Sequence, residues 1–378
     1  MSRLADIAQI NPRQEKAVDD GRLVSFLSMA DVSEEGSTTP GETREYREVR
    51  RGYTPFQRGD VLVAKITPCF QNGKIAQALT EHHLGFGSTE FHVIRPDSAK
   101  ADTRYVMHLL RTPVIRIAGE RFMTGSGGQR RVPPSYLGNL EVPLPPLPEQ
   151  RRIAAILDQA DELRAKRRRT LALLDYLPEQ IFAETFLSAG RAQSSLEELA
   201  TWQAGGTPSR SEHAYFSGDI PWMTSGELGP IRASASKEML TSDAIAHSSA
   251  KMIPEGSLLL GMYDSAALKS SISVGRVSCN QAVAFGVPLV DVSPEFLYFA
   301  VQSQRASVLA RRRGARQKNL NLSMIRSITV PDASAAERLA FARTVNRIET
   351  LRRAAEAHLA HLDELFASLQ HRAFTGQL

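Results

Sequence analysis

The sequence predicts an α/β (α+β) fold: two mixed, strand-rich modules joined by two long helices that pair as an antiparallel coiled coil. Three observations lead there. The chain repeats itself once over a long period. The back of each half carries an apolar seam at helical spacing, and the front of each half consists of short β-type runs between polar loops. At 378 residues the chain has room for two or three domains.

The repeat emerges when the chain is slid against itself so that Gly128 falls on Arg316. Gln129 then meets Gln317, Ser135 meets Ser323, Val142 meets Val330 and Pro143 meets Pro331. In the same register Glu149 meets Glu337, Leu163-Arg164 meets Leu351-Arg352, Asp175 meets Asp363 and Phe186 meets Phe374. The fronts align only with gaps, as Leu4-Ala5-Asp6-Ile7-Ala8 with Leu196-Glu197-Glu198-Leu199-Ala200 and Arg58-Gly59-Asp60-Val61-Leu62 with Glu255-Gly256-Ser257-Leu258-Leu259. Uniform backs behind divergent fronts point to two similar modules that read different things. The expected boundaries are 1–142 for the first front module, 143–190 for the first helix, 191–331 for the second module and 332–378 for the second helix.

In chain order, β-type runs occupy 23–29, 61–66, 74–79 and 90–94, punctuated by Gly, Pro, Ser and Thr, with a helix at 105–111. The run Pro143-Leu144-Pro145-Pro146-Leu147-Pro148 ends a strand and stiffens the approach to a helix over 149–188. There Ile153, Ile156, Ala160, Leu163, Arg167, Thr170, Leu174, Leu177 and Ile181 alternate steps of three and four, an a/d seam with two polar members. Pro178 is expected to kink or break that helix. The second half repeats the plan with strands at 220–224, 257–262, 272–277 and 282–287 and a helix near 294–304. Its seam is Phe341, Thr344, Ile348, Leu351, Ala355, His358, Leu362, Leu365 and Leu369. At ~1.5 Å per residue each long helix spans ~50 Å. Two such seams in one chain most simply cover each other; the other arrangement lays each helix on its own module.

The loops carry the candidate binding chemistry. In the first module these are Lys65, Thr67, Gln71, Asn72 and Lys74, then Thr124, Ser126, Gln129, Arg130 and Arg131. In the second they are Thr207, Ser209 and Arg210 beside Gly205-Gly206, then Tyr263 and Lys269, then Arg311, Arg313, Arg316, Gln317 and Lys318. Glycine lets backbone approach a phosphate, and Arg, Gln and Asn offer the donor geometry that major-groove base edges require. The basic loops 121–131 and 311–319 precede the long helix in both halves, which favours DNA contact over an ordinary solvated surface. The run Arg164, Lys166, Arg167, Arg168, Arg169 reads as a solvated or partner-facing surface rather than a base reader.

Composition sets limits. The net charge of +5 is compatible with a nucleic-acid partner but weak support by itself. Arginine outnumbers lysine 37 to 9, which suits grip on phosphate and guanine but equally reflects a GC-rich coding sequence. Cys69 and Cys279 provide neither a disulfide framework nor zinc spacing. No signal peptide and no membrane span is read, so a cytoplasmic location is expected. An Asn/Asp-Pro-Pro-aromatic adenine pocket, a phosphate-binding G-x-x-x-x-G-K-[ST] loop and an acidic-x-Lys nuclease motif are all missing, and His82-His83 reads as plain surface. The chain is expected to bind rather than catalyse.

The stretch Val142-Pro143-Leu144-Pro145-Pro146-Leu147-Pro148-Glu149-Gln150-Arg151-Arg152-Ile153-Ala154 closely resembles the approach to the conserved helix of type I restriction–modification specificity subunits. The ending Leu369-Gln370-His371-Arg372-Ala373-Phe374-Thr375-Gly376-Gln377-Leu378 resembles their C-terminus, and Gly205-Gly206-Thr207-Pro208-Ser209 with Ile220-Pro221-Trp222 resembles an opening of their target-recognition domains. The second helix departs from the pattern: Pro331-Asp332-Ala333-Ser334-Ala335-Ala336-Glu337 lacks the proline run. The resemblance implies that each module is a target-recognition domain for one half of a split double-stranded DNA site. It implies that the helices set the spacing and dock two methylation subunits, and that separate restriction/motor subunits cut. S-adenosylmethionine, ATP and Mg²⁺ would belong to those partners, with no cofactor, metal or catalytic residue in this chain. A DNA-targeting subunit of a type IIB-like system and a scaffold that does not bind DNA are the competing readings.

Overall fold

The computed structural model describes residues 1–13, 18–126, 128–263, 266–312 and 319–378, with backbone alone at 311 and 312. The chain forms two compact units, one of Met1–Thr170 with Ala355–Leu378 and one of Leu171–Ala354. Each takes one stretch of each long helix.

In the first unit an antiparallel sheet runs Ala8–Ile10, Phe91–Pro96, Val61–Ala64, Ile75–Gln77. A second runs Glu42–Glu45, Leu23–Leu27, Leu84–Gly87, Thr54–Gln57, with its middle pair parallel. The strand Val61–Ala64 is wholly buried. Its side chains alternate between two cores: Val61 and Val63 join Val106, Met107 and Leu110 of the helix Thr103–Leu110, while Leu62 and Ala64 join Leu27, Phe56 and Phe91. Burial on both faces is why this strand reads as an unbroken apolar run. The strands at 42–45, 54–57 and 84–87 were not expected, because they are polar or glycine-rich. Gly85 is needed where it stands, since a Cβ there would lie 2.3 Å from the Phe56 ring.

The second unit repeats this strand order with one edge strand added to its first sheet and one fewer strand in its second. Its first sheet runs Ala200–Ala204, Val283–Pro288, Leu258–Gly261, Ser270–Ser273, and gains Arg232–Ala233 as a parallel edge. Its second runs Met239–Leu240, Ile220–Met223, Ser278–Cys279, again with one parallel pair. Leu258 and Leu260 face one core and Leu259 the other, as in the first unit. Each module is closed by a strand pair that brings its start to its end: Ser2–Arg3 with Glu141–Val142, and Gln193–Ser195 with Thr329–Pro331. The module helix Pro294–Arg312 runs past the expected 304 and takes in the backbone of Arg311, which was expected in a loop. Arg121 likewise ends an unexpected helix, Pro113–Arg121.

The long helices are Leu147–Phe186 and Ala335–Phe374, 40 residues each, beginning and ending at equivalent repeat positions. Within each unit their stretches run antiparallel. In the first, Arg152 reaches the Leu378 carbonyl (2.8 Å) and Arg164 reaches Asp363 (2.6 Å). In the second, Arg352 reaches Asp175 (2.6 Å) and the Phe182 ring meets Phe341. The seam differs from expectation at every other position. Ile153 and Ala160 are buried as expected, but Leu157 takes the place of Ile156, Arg164 that of Leu163 and Pro178 that of Leu177. In the second helix Val345, Arg352, Leu359 and Phe366 replace Thr344, Leu351, His358 and Leu365. Two alternations, three-then-four and four-then-three, share half their positions. The first looks better on apolar content, yet the second is adopted because Arg164 is satisfied in the seam: it bonds Asp161 and Asp363 at 2.6 Å and lies over the Phe366 ring. The helix is not broken at Pro178. The ring sits on the buried face, and Phe182 and Phe186 anchor the turns beyond it against Phe296 and Phe341.

The helices also pack on their own modules. Buried His108 donates from Nε2 to Asp158 (2.7 Å), Arg104 bonds the same carboxylate through Nε (3.0 Å), and Arg111 bonds Asp161 (2.5 Å). Buried Gln150 bonds the Lys100 and Pro145 carbonyls and accepts from the Asp102 N–H. In the second unit the equivalents of Asp158 and Asp161 are Asn346 and Glu349. Both bind Arg232, which also meets Glu295. The missing proline run before the second helix is replaced by a capping box: Ser334 and Glu337 bond each other's backbone or side chain, and Arg191 clamps Glu337 (2.6 Å).

Two predictions follow from the packing. Leu157→Ala should destabilise the protein by ~2–5 kcal/mol, and Leu163→Ala by no more than about 0.5 kcal/mol; denaturant unfolding of both variants checks this, and the reverse ranking would restore the three-then-four seam. Burial pushes the His108 pKa down, with Arg111 adding to the effect against the partial opposition of Asp158 and Asp161. The unfolded chain therefore takes up a proton that the folded chain resists, and stability falls as pH drops through the ordinary histidine value of 6.5. His108→Gln should flatten the thermal midpoint between about pH 7 and 5, and an unchanged slope would place the acid sensitivity elsewhere.

Candidate nucleic-acid interface

In the first module the two expected loops are zipped into one platform. Thr67 N–H donates to the Arg130 carbonyl (2.9 Å), Thr67 Oγ1 donates to the Gly128 carbonyl (2.9 Å), and Arg130 N–H donates back to Thr67 Oγ1 (3.0 Å). Thr124 and Arg131 exchange backbone hydrogen bonds, and Val132 N–H reaches the Lys65 carbonyl. Gly125, at φ +132°, makes the turn; a Cβ there would lie 2.5 Å from the Gln129 carbonyl. Arg131 forks its guanidinium onto Glu90 at 2.8–3.2 Å and lowers that carboxyl's pKa, with 41% of its side chain still exposed.

The other candidates divide by what already holds them. Lys74 Nζ donates to the Met29 carbonyl (3.0 Å), Asn72 donates to Glu34 (2.9 Å), and the Gln71 carbonyl is held by Arg116. The Lys74 and Asn72 side chains are thus already engaged, whereas at Gln71 only the backbone carbonyl is held and the side-chain Oε1 is buried without a hydrogen-bond partner. Lys65 lines a groove beside it with Tyr53, Phe91 and His92. His92 is kept neutral by burial, donating to the Val132 carbonyl and accepting from Asn11. Thr124, Ser126, Gln129 and Arg130 project outward, with Arg130 only loosely paired to Glu120 at 3.6 Å. Sequence reasoning missed the bracing residues Glu90, Arg116 and Glu120, for which no sequence pattern gave a signal.

In the second module Gly205 and Gly206 serve close packing, not approach to a phosphate. A Cβ would lie 2.4 Å from the Asn280 carbonyl at Gly205 and 2.0 Å from the Ser249 carbonyl at Gly206. Arg210 is held by Glu238 (2.9 Å) over the Phe216 and Trp222 rings, so it is a structural cation with half of its surface exposed. Thr207 bonds Gln281, an exposed residue the sequence reading passed over, and exposed Ser209 bonds Ser211. Tyr263 and Lys269 are half-buried, with Tyr263 packed against the main core. Arg313, Arg316, Gln317 and Lys318 lie outside the described residues, as does the Arg311 side chain. Among the described residues there is no group of three or more His, Cys, Asp or Glu that could hold a metal, and no helix is long and apolar enough to cross a membrane.

Comparison with known proteins places this architecture. The chain is 38% identical over 204 residues to the type I restriction enzyme EcoEI specificity subunit of Escherichia coli, a match covering 52% of this chain and 33% of that protein. The chain thus spans about a third of the length of the curated relatives it matches first. Two solved structures share the fold. One comes from work on complex assembly and conformational transition of the type I R-M system (TM-score 0.64, 16% identity, 100% of this chain and 97% of that one). The other is the type I restriction-modification system S subunit from M. genitalium (TM-score 0.62, 14% identity, 99% and 95%). The family model for the type I restriction modification DNA specificity domain matches residues 1–173 and again 191–332. With both repeats matched, the chain belongs to the family of type I restriction modification DNA specificity domains.

Proposed function

We propose that this chain is the DNA-recognition subunit of a type I restriction–modification complex, with modules 1–142 and 191–331 as target-recognition domains for the two halves of a bipartite site. One observation carries the reading: the same four-strand order of the first sheet, and a second sheet with one parallel pair, occur twice, while the residues the loops offer to solvent differ. A shared scaffold with unlike faces suits an asymmetric site. In the first module the readers are Gln129, Arg130, Ser126 and Thr124, with Lys65 and Thr67 beside them. Gln and Arg are the side chains that pair bidentately with adenine and guanine edges. In the second, Thr207, Ser209, Tyr263, Lys269 and the basic segment 311–318 take that part. Segments 143–190 and 332–378 pair as the coiled-coil spacer and dock two methylation subunits. Restriction/motor subunits complete the complex, and S-adenosylmethionine, ATP and Mg²⁺ act in those partners. The complex works on cytoplasmic DNA, and this chain performs no bond-breaking step.

The reading is tested by mapping methylated adenines in cells that carry this chain with its methylation subunit. An asymmetric bipartite motif that disappears with the chain is expected; methylation without sequence preference would overturn it. Gln129→Ala should cost ~1–3 kcal/mol of DNA binding and relax one position of one half-site. Replacing residues 1–142 by those of another family member should change one half-site and leave the other intact. A change in both halves, read from the same methylation maps, would end the modular assignment.

A further inference from the structure

The two modules diverge at one place in their first sheets. In the second module the strand Ala200–Ala204 pairs with Val283–Pro288 along its whole length, and the Gly205 N–H carries the ladder on to the Val283 carbonyl (2.9 Å). In the first module the equivalent strand stops at Ile10. Asn11 leaves the sheet at φ +52°, a left-handed conformation that asparagine tolerates better than most residues. Its side chain fixes the break, accepting from the Val93 N–H (3.0 Å) and donating to His92 Nδ1 (3.1 Å). Beyond the break a cleft of about 630 Å³ opens against Pro12, Tyr53, Pro55, Lys65 and Pro134. Pro12, Arg13 and Pro55 join it to a second hollow of about 200 Å³ that reaches Arg22, His83 and Arg95.

No carboxylate among the described residues lines either hollow. Arg95 is answered from behind by buried Asp60 (2.7 Å), and Glu90, whose carbonyl bonds the Lys65 N–H, gives its carboxylate to Arg131. The second module builds the same sheet without these groups. By strand register Lys65 corresponds to Met262, Arg95 to Val287, His92 to Ala284 and Arg13 to Gly205. The fold therefore does not require the cations, which leaves a ligand as the reason for their charge. The walls are apolar and flat. The Tyr53 ring is 38% exposed and is braced edge-to-face by Phe26 (4.9 Å), which lies under the Arg44 guanidinium. A braced ring and proline faces suit a planar heterocycle, and the cations suit an anionic group attached to it.

We propose that this cleft binds a single nucleotide, with its base against Tyr53 and the proline faces and its phosphate toward Lys65 and Arg13. Asn11 and His92 bond each other and the backbone, so that wall offers little to read a base edge. Stacking and charge supply the affinity, with little preference among bases. Lys65 joins the cleft to the platform, since its carbonyl accepts from the Val132 N–H. A nucleotide turned out of the duplex at the platform and a free nucleotide share this chemistry. The first source rests on the DNA-recognition reading above; the second does not.

The test has two arms, both with the full chain. In one, each of the four deoxynucleoside 5′-monophosphates is titrated into the chain by calorimetry. In the other, duplexes carrying 2-aminopurine at successive positions of the mapped motif are read by fluorescence in the complex with the methylation subunit. Tyr53→Leu and Lys65→Glu, each with unchanged circular dichroism, should weaken monophosphate binding at least about fivefold. One 2-aminopurine position should brighten with the parent and lose that response in both variants. Should Tyr53→Leu fail to fold, Lys65→Glu alone decides both arms. A variant-sensitive fluorescence response assigns the site to a nucleotide of the bound DNA, and variant-sensitive monophosphate binding without it assigns the site to a free nucleotide. Neither response, or responses equal in parent and variants, would overturn the site while intact DNA binding left the recognition reading standing. A chain that takes monophosphates but no DNA would overturn the recognition reading and leave the site.

Discussion

Arg164 and Arg352 occupy equivalent places in the two repeats, and each reaches across to the equivalent aspartate of the other long helix, Asp363 and Asp175. These reciprocal bridges set the register in which the repeated segments meet. An exposed ion pair contributes little by itself, but Arg164 is mostly buried, satisfied by two carboxylates and laid over the Phe366 ring. Such a residue specifies a register more than it strengthens one: any slip of the helices would leave its guanidinium inside the seam without Asp363 and the Phe366 ring. The choice of register then decides which leucines are covered and which stay exposed, as Leu163, Leu177, Leu351 and Leu365 do.

Duplication explains why so much follows from so few interactions. Each module buries one strand on both faces, Val61–Ala64 or Leu258–Gly261, and brings its ends together through a short strand pair, so that a loop can vary without disturbing the path of the chain. The modules are then tied to the helices by different chemistry at equivalent places. In the first unit His108, Arg104 and Arg111 hold Asp158 and Asp161; in the second Arg232, on an edge strand the first module lacks, holds Asn346 and Glu349. The attachment points persisted while the attaching residues diverged. That is the pattern expected where position is functional and identity is not.

Much of this was legible in the sequence, and the failures have physical causes. The repeat, both long helices and the strands buried on two faces were readable because apolar periodicity is the strongest local signal. The strands at 42–45 and 84–87 were hidden because one is polar on a sheet edge and the other depends on Gly85 and Gly87 lying against Phe56 and Phe91, a tertiary requirement. The seam was misread because hydrophobicity favours Leu163 over Arg164, and only the facing Asp363 and Phe366 reverse that preference. Among the candidate binding residues, Arg131, Arg210, Asn72 and Lys74 proved to be held by Glu90, Glu238, Glu34 and a backbone carbonyl. Basic and polar residues in a loop advertise binding, but their sequence does not reveal which of them the fold has already engaged.

The register is most directly tested by double-mutant cycles on the two bridges, using Arg164→Ala with Asp363→Ala and Arg352→Ala with Asp175→Ala, read by denaturant unfolding. Reciprocal antiparallel pairing predicts a favourable coupling of roughly 0.5–1 kcal/mol within each pair and none between Arg164 and Asp175. Strict additivity in both pairs, or coupling between Arg164 and Asp175, would contradict the antiparallel pairing of the helix stretches within each unit.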